Sequence, residues 1–321
     1  MEALVTGGTG FIGSHVIDLL LAHGHRVRLF SRRTELPASL AEKGVSLFPG
    51  DLRKPDSLQD AMNGIDVFYH VGEIRNTSPR AAQQNVRFVE QAIDHLALSG
   101  VKRFVFISSI GVAGVPSRTP ADEETAPKVT LKDHYTRYKE KCEKLLAEHI
   151  TGVEYAVVRP GVVYGPGSRY LGSLLAAIDR LGSIGIPFIG KGNNIAPLVH
   201  VRDLSQAVYL AGIEKDAAGQ IFNLTDGFRH SWSDFFNAIA LALNKKPRIL
   251  SFPPLMLGVP ARFLDNLSGL FRIQMSLNAY VQYVTTDLLF DNGKAQRLLK
   301  WKPEYTLAQG IEEMVREYRE R

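Results

Sequence analysis

Cysteine is almost missing from this sequence. Cys142 is the single thiol in 321 residues, so neither an internal disulfide nor a cysteine-rich metal site can form, and a reducing, cytoplasmic setting is expected. No run of five Lys/Arg occurs, and the basic residues are dispersed although the formal charge is +5. That describes a solvated surface mildly attractive to anionic ligands, with no nucleic-acid face. No uncharged apolar stretch reaches the ~18 positions needed to cross a bilayer. The first motif begins at Thr6, so a signal peptide is not expected. Internal repeats and low-complexity tracts are lacking too. With 45% hydrophobic and 22% charged residues, the composition excludes disorder and supplies a large core.

What is present alternates. Short β-rich runs stand at Ala3 to Val5, Val27 to Phe30, Val45 to Phe48, Val67 to Val71, Phe104 to Ile107 and Tyr155 to Val158. Between them lie segments with helical spacing, such as Val16, Leu19, Leu20 and His23, or Val86, Val89, Ile93 and Leu96. Continuous apolar strands separated by helices predict an α/β fold, a doubly wound parallel sheet covered on both faces. After Arg159 the chain is punctuated by Gly161, Gly165, Pro166, Gly167, Gly182, Gly185, Pro187, Gly190 and Gly192, as substrate loops often are. Residues 1–165 are therefore assigned to a nucleotide-binding unit to which 195–225 return. Residues 166–194 and most of 226–321 are assigned to a smaller interleaved lobe. The last helix is expected over about Leu307 to Arg319.

Thr6 to Gly13 read TGGTGFIG between the first strand and the first helix. Gly7, Gly10 and Gly13 suit a tight turn whose backbone approaches a pyrophosphate, with the helix N-terminus facing the anion. The second strand ends at Ser31, Arg32 and Arg33, where an NAD site usually carries an acid for the ribose hydroxyls. Two guanidinium groups can instead grip a 2′-phosphate. NADP(H) is thus the expected cofactor, with NAD(H) second. Asp51 and Leu52 suit the adenine, and Val71 and Gly72 suit a backbone contact. Thr9, Phe11 and Ile12, with Pro160, Val162 and Val163 after the sixth strand, complete the expected cofactor contacts.

Tyr135 and Lys139 lie four residues apart within a helical segment over about Lys132 to His149, so both project from one helix face. An ammonium beside a phenol favours phenolate and lowers the phenol pKa, producing a proton-transfer device for a carbonyl or an alcohol. Ser108 and Ser109 end the fifth strand, where a hydroxyl can hold the reacting oxygen, and Asn85 can extend the relay through water. His134 and Tyr138 either line that pocket or cover the helix. Cys142 is read as structural. His15, His23 and His25 lack carboxylate or thiol company at ligand spacing, so no metal site is expected.

In these residues the chain resembles the extended short-chain dehydrogenase/reductases of the NAD-dependent epimerase/dehydratase superfamily. That group includes nucleotide-sugar epimerases, dihydroflavonol reductases and 3β-hydroxysteroid dehydrogenases. The resemblance covers nearly the whole chain: TGGTGFIG, Gly50-Asp51-Leu52, Asn85-Val86, Ser108-Ser109, Tyr135 to Lys139, RPGVVYGPG from Arg159, LVHVRDL from Leu198, Ile221-Phe222-Asn223, Lys294-Ala295 and Trp301-Lys302-Pro303. It implies that Tyr135 is the general acid/base, that Lys139 holds the nicotinamide ribose and tunes the tyrosine, and that Ser109 positions substrate oxygen. It also implies that His200 and Asp203 support the fold, and that the protein is a homodimer.

Departures from the family pattern narrow the substrate. Nucleotide-sugar members usually place an asparagine where Val162 stands and an arginine near Ala196-Pro197; both positions are expected to face the substrate crevice. Ile110 and Gly111 stand where dehydratases carry an acid pair. The expected reaction is interconversion of a ketone and a secondary alcohol on an apolar small molecule, like that of the dihydroflavonol reductase and 3β-hydroxysteroid dehydrogenase branch. The stretch containing Phe252, Leu255, Met256, Leu257, Phe263, Leu264 and Phe271 is open to three roles: pocket lining, core or dimer packing, or contact with a membrane surface. A nucleotide-sugar epimerase and a non-catalytic NADP(H)-sensing protein are the alternatives; the presence of both Tyr135 and Lys139 counts against the second.

Overall fold

The computed structural model describes residues 1–75, 78–131, 133–181, 185–246, 248–253 and 277–320. In chain order the first part runs β1 (Glu2–Thr6), α1 (Phe11–Ala22), β2 (Arg26–Ser31), α2 (Ala38–Ala41), β3 (Ser46–Pro49), α3 (Leu58–Ala61), β4 (Val67–His70), α4 (Pro79–Ser99) and β5 (Arg103–Ile107). Then come β6 (Val115–Pro116), β7 (Pro127–Val129), α5 (His134–His149), β8 (Glu154–Pro160), β9 (Val162–Tyr164), α6 (Arg169–Leu181), β10 (Ile186–Ile189), β11 (Leu198–His200) and α7 (Val201–Ile213). The chain continues with β12 (Gln220–Leu224), α8 (Trp232–Ala242), β13 (Ile249–Phe252), α9 (Leu277–Val284), α10 (Gly293–Leu298) and α11 (Leu307–Arg319).

Seven strands form one parallel sheet in the order β12-β8-β5-β4-β1-β2-β3. Alternation along each strand sends its residues to two separate cores. Ala3 and Val5 join Val16, Ile17 and Leu20 of α1 and Leu204 and Val208 of α7 on one face. Leu4, Phe68, Phe104 and Phe106 join Val86, Val89 and Leu96 of α4 and Cys142 and Leu146 of α5 on the other. Each large side chain buried this way contributes roughly 1.5–3 kcal/mol, enough to impose the sheet's order on strands of four to seven residues.

Local chemistry sets the helix ends. Ser78 caps α4 by accepting the Ala81 N–H, Pro79 opens the helix, and Gly100 closes it in the left-handed region. Asp133 caps α5 through the Thr136 N–H at 3.0 Å, and Thr306 and Gln309 form a reciprocal capping box on α11. These side chains satisfy backbone donors that the first turn leaves open.

A third core gathers Leu171, Leu175 and Ile178 of α6, Phe235 and Ile239 of α8, and Ile311 and Met314 of α11. The chain after 226 does not all stay there. Ala295, Leu299 and Trp301 return to the first core, where the Trp301 indole donates to the Asp203 carbonyl at 2.8 Å. Among the described residues no helix is long and apolar enough to cross a membrane.

Candidate active site

Parallel registers bring the strand ends to one edge. Thr6 is level with Phe30 of β2 and His70 of β4, and His70 with Phe106 of β5. In such sheets the crevice outside these carboxyl ends receives the ligand.

The turn from β1 into α1 has no room for a side chain at Gly7 or Gly13. Gly7 has a φ of +72°, and a Cβ there would lie 2.5 Å from Gly72 Cα. One at Gly13 would lie 2.2 Å from the Gly7 carbonyl oxygen. Thr6 Oγ1 accepts the Gly72 N–H at 3.1 Å and is hydrogen-bonded to His70 Nδ1 at 2.7 Å. Burial, aided by Lys139, pulls the His70 pKa down to about 3, so a neutral ring holds the two turns together. Gly10 begins α1 with no side-chain cap, and the first turn carries no acid. Its N–H groups and positive dipole end are left for an anion, and a dinucleotide pyrophosphate fits.

The remaining nucleotide candidates border the same edge. Thr9, Arg32 and Arg33 are exposed; Phe11, Ile12, Ser31, Asp51, Leu52, Val71, Val162 and Val163 are half-buried; Pro160 and Gly72 are buried. Ser31 Oγ accepts the Arg33 N–H at 3.3 Å, and no carboxylate stands at the end of β2. Asp51 Oδ1 accepts the Arg53 N–H at 3.0 Å.

Tyr135 and Lys139 project from α5 towards the end of β5, with Nζ 5.8 Å from the Tyr135 ring centroid. Ser109 acts on the phenol from the end of β5, and its Oγ accepts the Gly111 N–H at 3.2 Å. The expected lowering of the phenol pKa is not what this arrangement produces. Burial, then the negative charge of Glu73, push Tyr135 above its ordinary value, against the smaller opposite pull of Ser109. The ammonium is engaged elsewhere: Lys139 donates to the Ile107 carbonyl at 2.7 Å and lies 3.8 Å from Glu73.

The two serines have different partners. Ser108 donates to Glu143, which is clasped by Arg159 through contacts of 2.5 to 3.1 Å. Ser109 is the one that acts on the phenol. Glu143 and Glu73 escaped the sequence reading. A signal for Glu143 was available, because it continues the four-residue spacing of Tyr135 and Lys139; Glu73 had none. Tyr138 is buried with its hydroxyl donating to Glu73 at 2.8 Å. Cys142 is fully buried, which pushes its thiol up to about 12.

Two expectations need correction. Asn85 is spent on backbone: Oδ1 accepts the Ile74 N–H at 2.8 Å, and Nδ2 donates to the carbonyls of Ile74 and Ala81 at 3.2 and 3.1 Å. It pins the loop carrying Glu73, with neither amide hydrogen left for a water relay. Ala196 does not face a crevice, being 1% exposed within the third core; Val162 packs against that same core. In the apolar stretch, Phe252 ends β13 and is exposed, whereas Leu255, Met256, Leu257, Phe263, Leu264 and Phe271 lie outside the described residues.

His200 and Asp203 hold structure together. Asp203 accepts the Glu304 and Tyr305 N–H groups at 3.0 and 3.2 Å, and the His200 ring stacks on Tyr305 at 4.0 Å. His15 binds the Pro166 carbonyl oxygen at 3.0 Å. His23 stacks on Tyr209 at 4.4 Å, and His25 is 3.2 Å from its hydroxyl. No group of three or more possible metal ligands occurs among the described residues.

Nearby, Asp226 is 3% exposed, and burial pushes its pKa up from 3.8 to about 7. The fold therefore favours the protonated acid. That contribution is fully present below about pH 4 and is lost as the pH rises through about 7. Asp226→Asn keeps the shape without the titration. Urea denaturation should show it more stable than wild type at pH 8, on the order of 2–4 kcal/mol, with the gain vanishing near pH 4. An equal gain at both pH values would count against this account.

The model for the NAD dependent epimerase/dehydratase family matches residues 3–225. The sequence is 28% identical over 332 residues to a UDP-glucose 4-epimerase of Vibrio cholerae, covering 98% of this chain and 94% of that one. It is 25% identical over 330 residues to a decarboxylating sterol-4-alpha-carboxylate 3-dehydrogenase of Dictyostelium discoideum, covering 98% and 99%. The crystal structure of a UDP-glucose 4-epimerase from Thermotoga maritima, with UDP-glucose, superposes with a TM-score of 0.78 at 21% identity, covering 100% of this chain and 99% of that one.

Proposed function

The chain belongs to the NAD dependent epimerase/dehydratase family, as an NAD(P)-dependent enzyme of the extended short-chain dehydrogenase/reductase type, and from that premise we propose that it interconverts a ketone and a secondary alcohol on a largely apolar substrate, preferring NADP(H). The observation that carries the reading is the gathering of Tyr135, buried Lys139 and Ser109 at the end of β5, with the ammonium 5.8 Å from the Tyr135 ring and 2.7 Å from the Ile107 carbonyl oxygen. Ser109 holds the substrate oxygen, Tyr135 gives it a proton in reduction and takes one in oxidation, and Lys139 holds the nicotinamide ribose. A nicotinamide cofactor, when bound, would supply or accept the hydride. Burial keeps Tyr135 protonated, which suits donation to a ketone. Half-buried Val162, which offers a diphosphate no hydrogen bond or charge, supports an apolar ligand over one that would be left without partners.

Epimerisation of a nucleotide sugar is the second reading, favoured by the likeness to the Vibrio cholerae enzyme. Assays with NADPH against steroid, flavonoid and 3-oxo lipid ketones, run beside calorimetric titration with UDP-glucose, separate the two. Ketone turnover without UDP-glucose binding is expected; tight UDP-glucose binding with no ketone turnover would reverse the order.

Cofactor preference is ascribed to Arg32. Arg32→Asp should weaken NADPH at least about tenfold while leaving NADH affinity similar or better, because a carboxylate repels the 2′-phosphate and can accept from the ribose hydroxyls. Unchanged affinities for both would place the phosphate elsewhere.

A further inference from the structure

Glu73 lies on the loop leaving β4, which Asn85 pins through the backbone of Ile74. Its Oε2 accepts the Tyr138 hydroxyl at 2.8 Å and stands 3.8 Å from Lys139 Nζ. The Lys139 side chain is 6% exposed, so its ammonium has given up water for the Ile107 carbonyl and this carboxylate. A buried ammonium sheds its proton unless an opposite charge stands close. We infer that Glu73 is the fixed counter-ion of Lys139, a positioning residue that keeps the ammonium charged and aimed at the cofactor, with Tyr138 holding the carboxylate in place. The inference rests on the proposed contact between Lys139 and the nicotinamide ribose.

Among the described residues, no other group facing Lys139 takes this part. From α5, Glu143 is engaged by Arg159 and Ser108, Cys142 is a neutral thiol, and Tyr135 and Tyr138 are phenols held above their ordinary pKa. From β4, His70 is neutral. From β5 come the Ile107 carbonyl and the Phe106 ring, 5.1 Å from Nζ. Asp133 is occupied by the Thr136 N–H and hydroxyl, and it and Tyr283 act on Tyr135. On its own loop, exposed Arg75 lies 4.0 Å from Glu73. The directions agree with the geometry: burial lowers the Lys139 pKa, and Glu73 is the foremost influence raising it.

Without this carboxylate the ammonium should deprotonate at lower pH. The test measures NADPH and NADH dissociation constants by nicotinamide fluorescence from pH 6 to 10, for wild type, Glu73→Gln, Glu73→Asp and Lys139→Met. In Glu73→Gln the alkaline fall in affinity should begin about one pH unit lower. Glu73→Asp should restore the wild-type position, and Lys139→Met should bind weakly with no such fall. If Glu73→Gln does not fold, Glu73→Ala carries the same loss of charge. An alkaline limb that is unmoved in the charge-loss variant, that moves equally in Glu73→Asp, or that persists in Lys139→Met overturns the inference. Failure of wild type to bind either nucleotide at any pH would overturn the cofactor reading and this inference together, whereas normal binding with an unmoved limb counts against Glu73 alone.

Discussion

Tyr135→Phe is expected to lower turnover by about 10²–10⁴-fold, the usual contribution of a positioned acid or base, with little change in cofactor affinity or thermal midpoint. The ring stays, so its edge-on packing against Tyr138 at 5.4 Å and its place beside the core of α4 and α5 survive. Only the hydroxyl on which Ser109 acts is removed. Substrate oxygen then has a hydrogen-bond donor but no group to complete the proton transfer. Single-turnover absorbance at 340 nm, with cofactor binding measured separately, reads the two effects apart. Turnover within a factor of a few of wild type would remove Tyr135 from the proton-transfer role.

Glu143→Ala should be the most destabilising single change in the site. Glu143 and Arg159 have side chains 6% and 12% exposed and meet at 2.5 Å, and Ser108 donates to the same carboxylate. Removing one member of a buried pair leaves the other charge uncompensated, a loss of about 3–5 kcal/mol. Here it also leaves a buried hydroxyl without its acceptor. The double change Glu143→Leu with Arg159→Met should cost less than the single one, because no buried charge remains. Urea denaturation of wild type, single and double variants checks both statements. A double variant less stable than Glu143→Ala would show that the pair contributes more than the cost of its burial.

The structure also explains why the two serines at the end of β5 could not be told apart by pattern alone. They are neighbours on one strand end, and the choice between them depends on which residues α5 brings opposite. Ser108 meets Glu143, 35 positions away; Ser109 meets the phenol. The misreading of Ala196 has a similar origin. An alanine beside a proline carries no signal of burial, and its enclosure follows from the packing of α6, α8 and α11.

Short-range pattern was sufficient for much of this protein. Alternating apolar runs and helical stripes marked six strands of the sheet, because side-chain period is a property of a few consecutive residues. Glycines at Gly7 and Gly13 and the four-residue step from Tyr135 to Lys139 were legible for the same reason: each is a backbone or helix-face requirement within one element. Tertiary structure alone decided the rest. Glu73 and Tyr138 are 65 positions apart, Trp301 returns from the far end of the chain to the first core, and Tyr135 is pushed up in pKa where the isolated motif suggested the reverse. Desolvation and Coulomb interaction depend on which groups the fold encloses together and how far apart they lie, and spacing along the chain does not contain those distances.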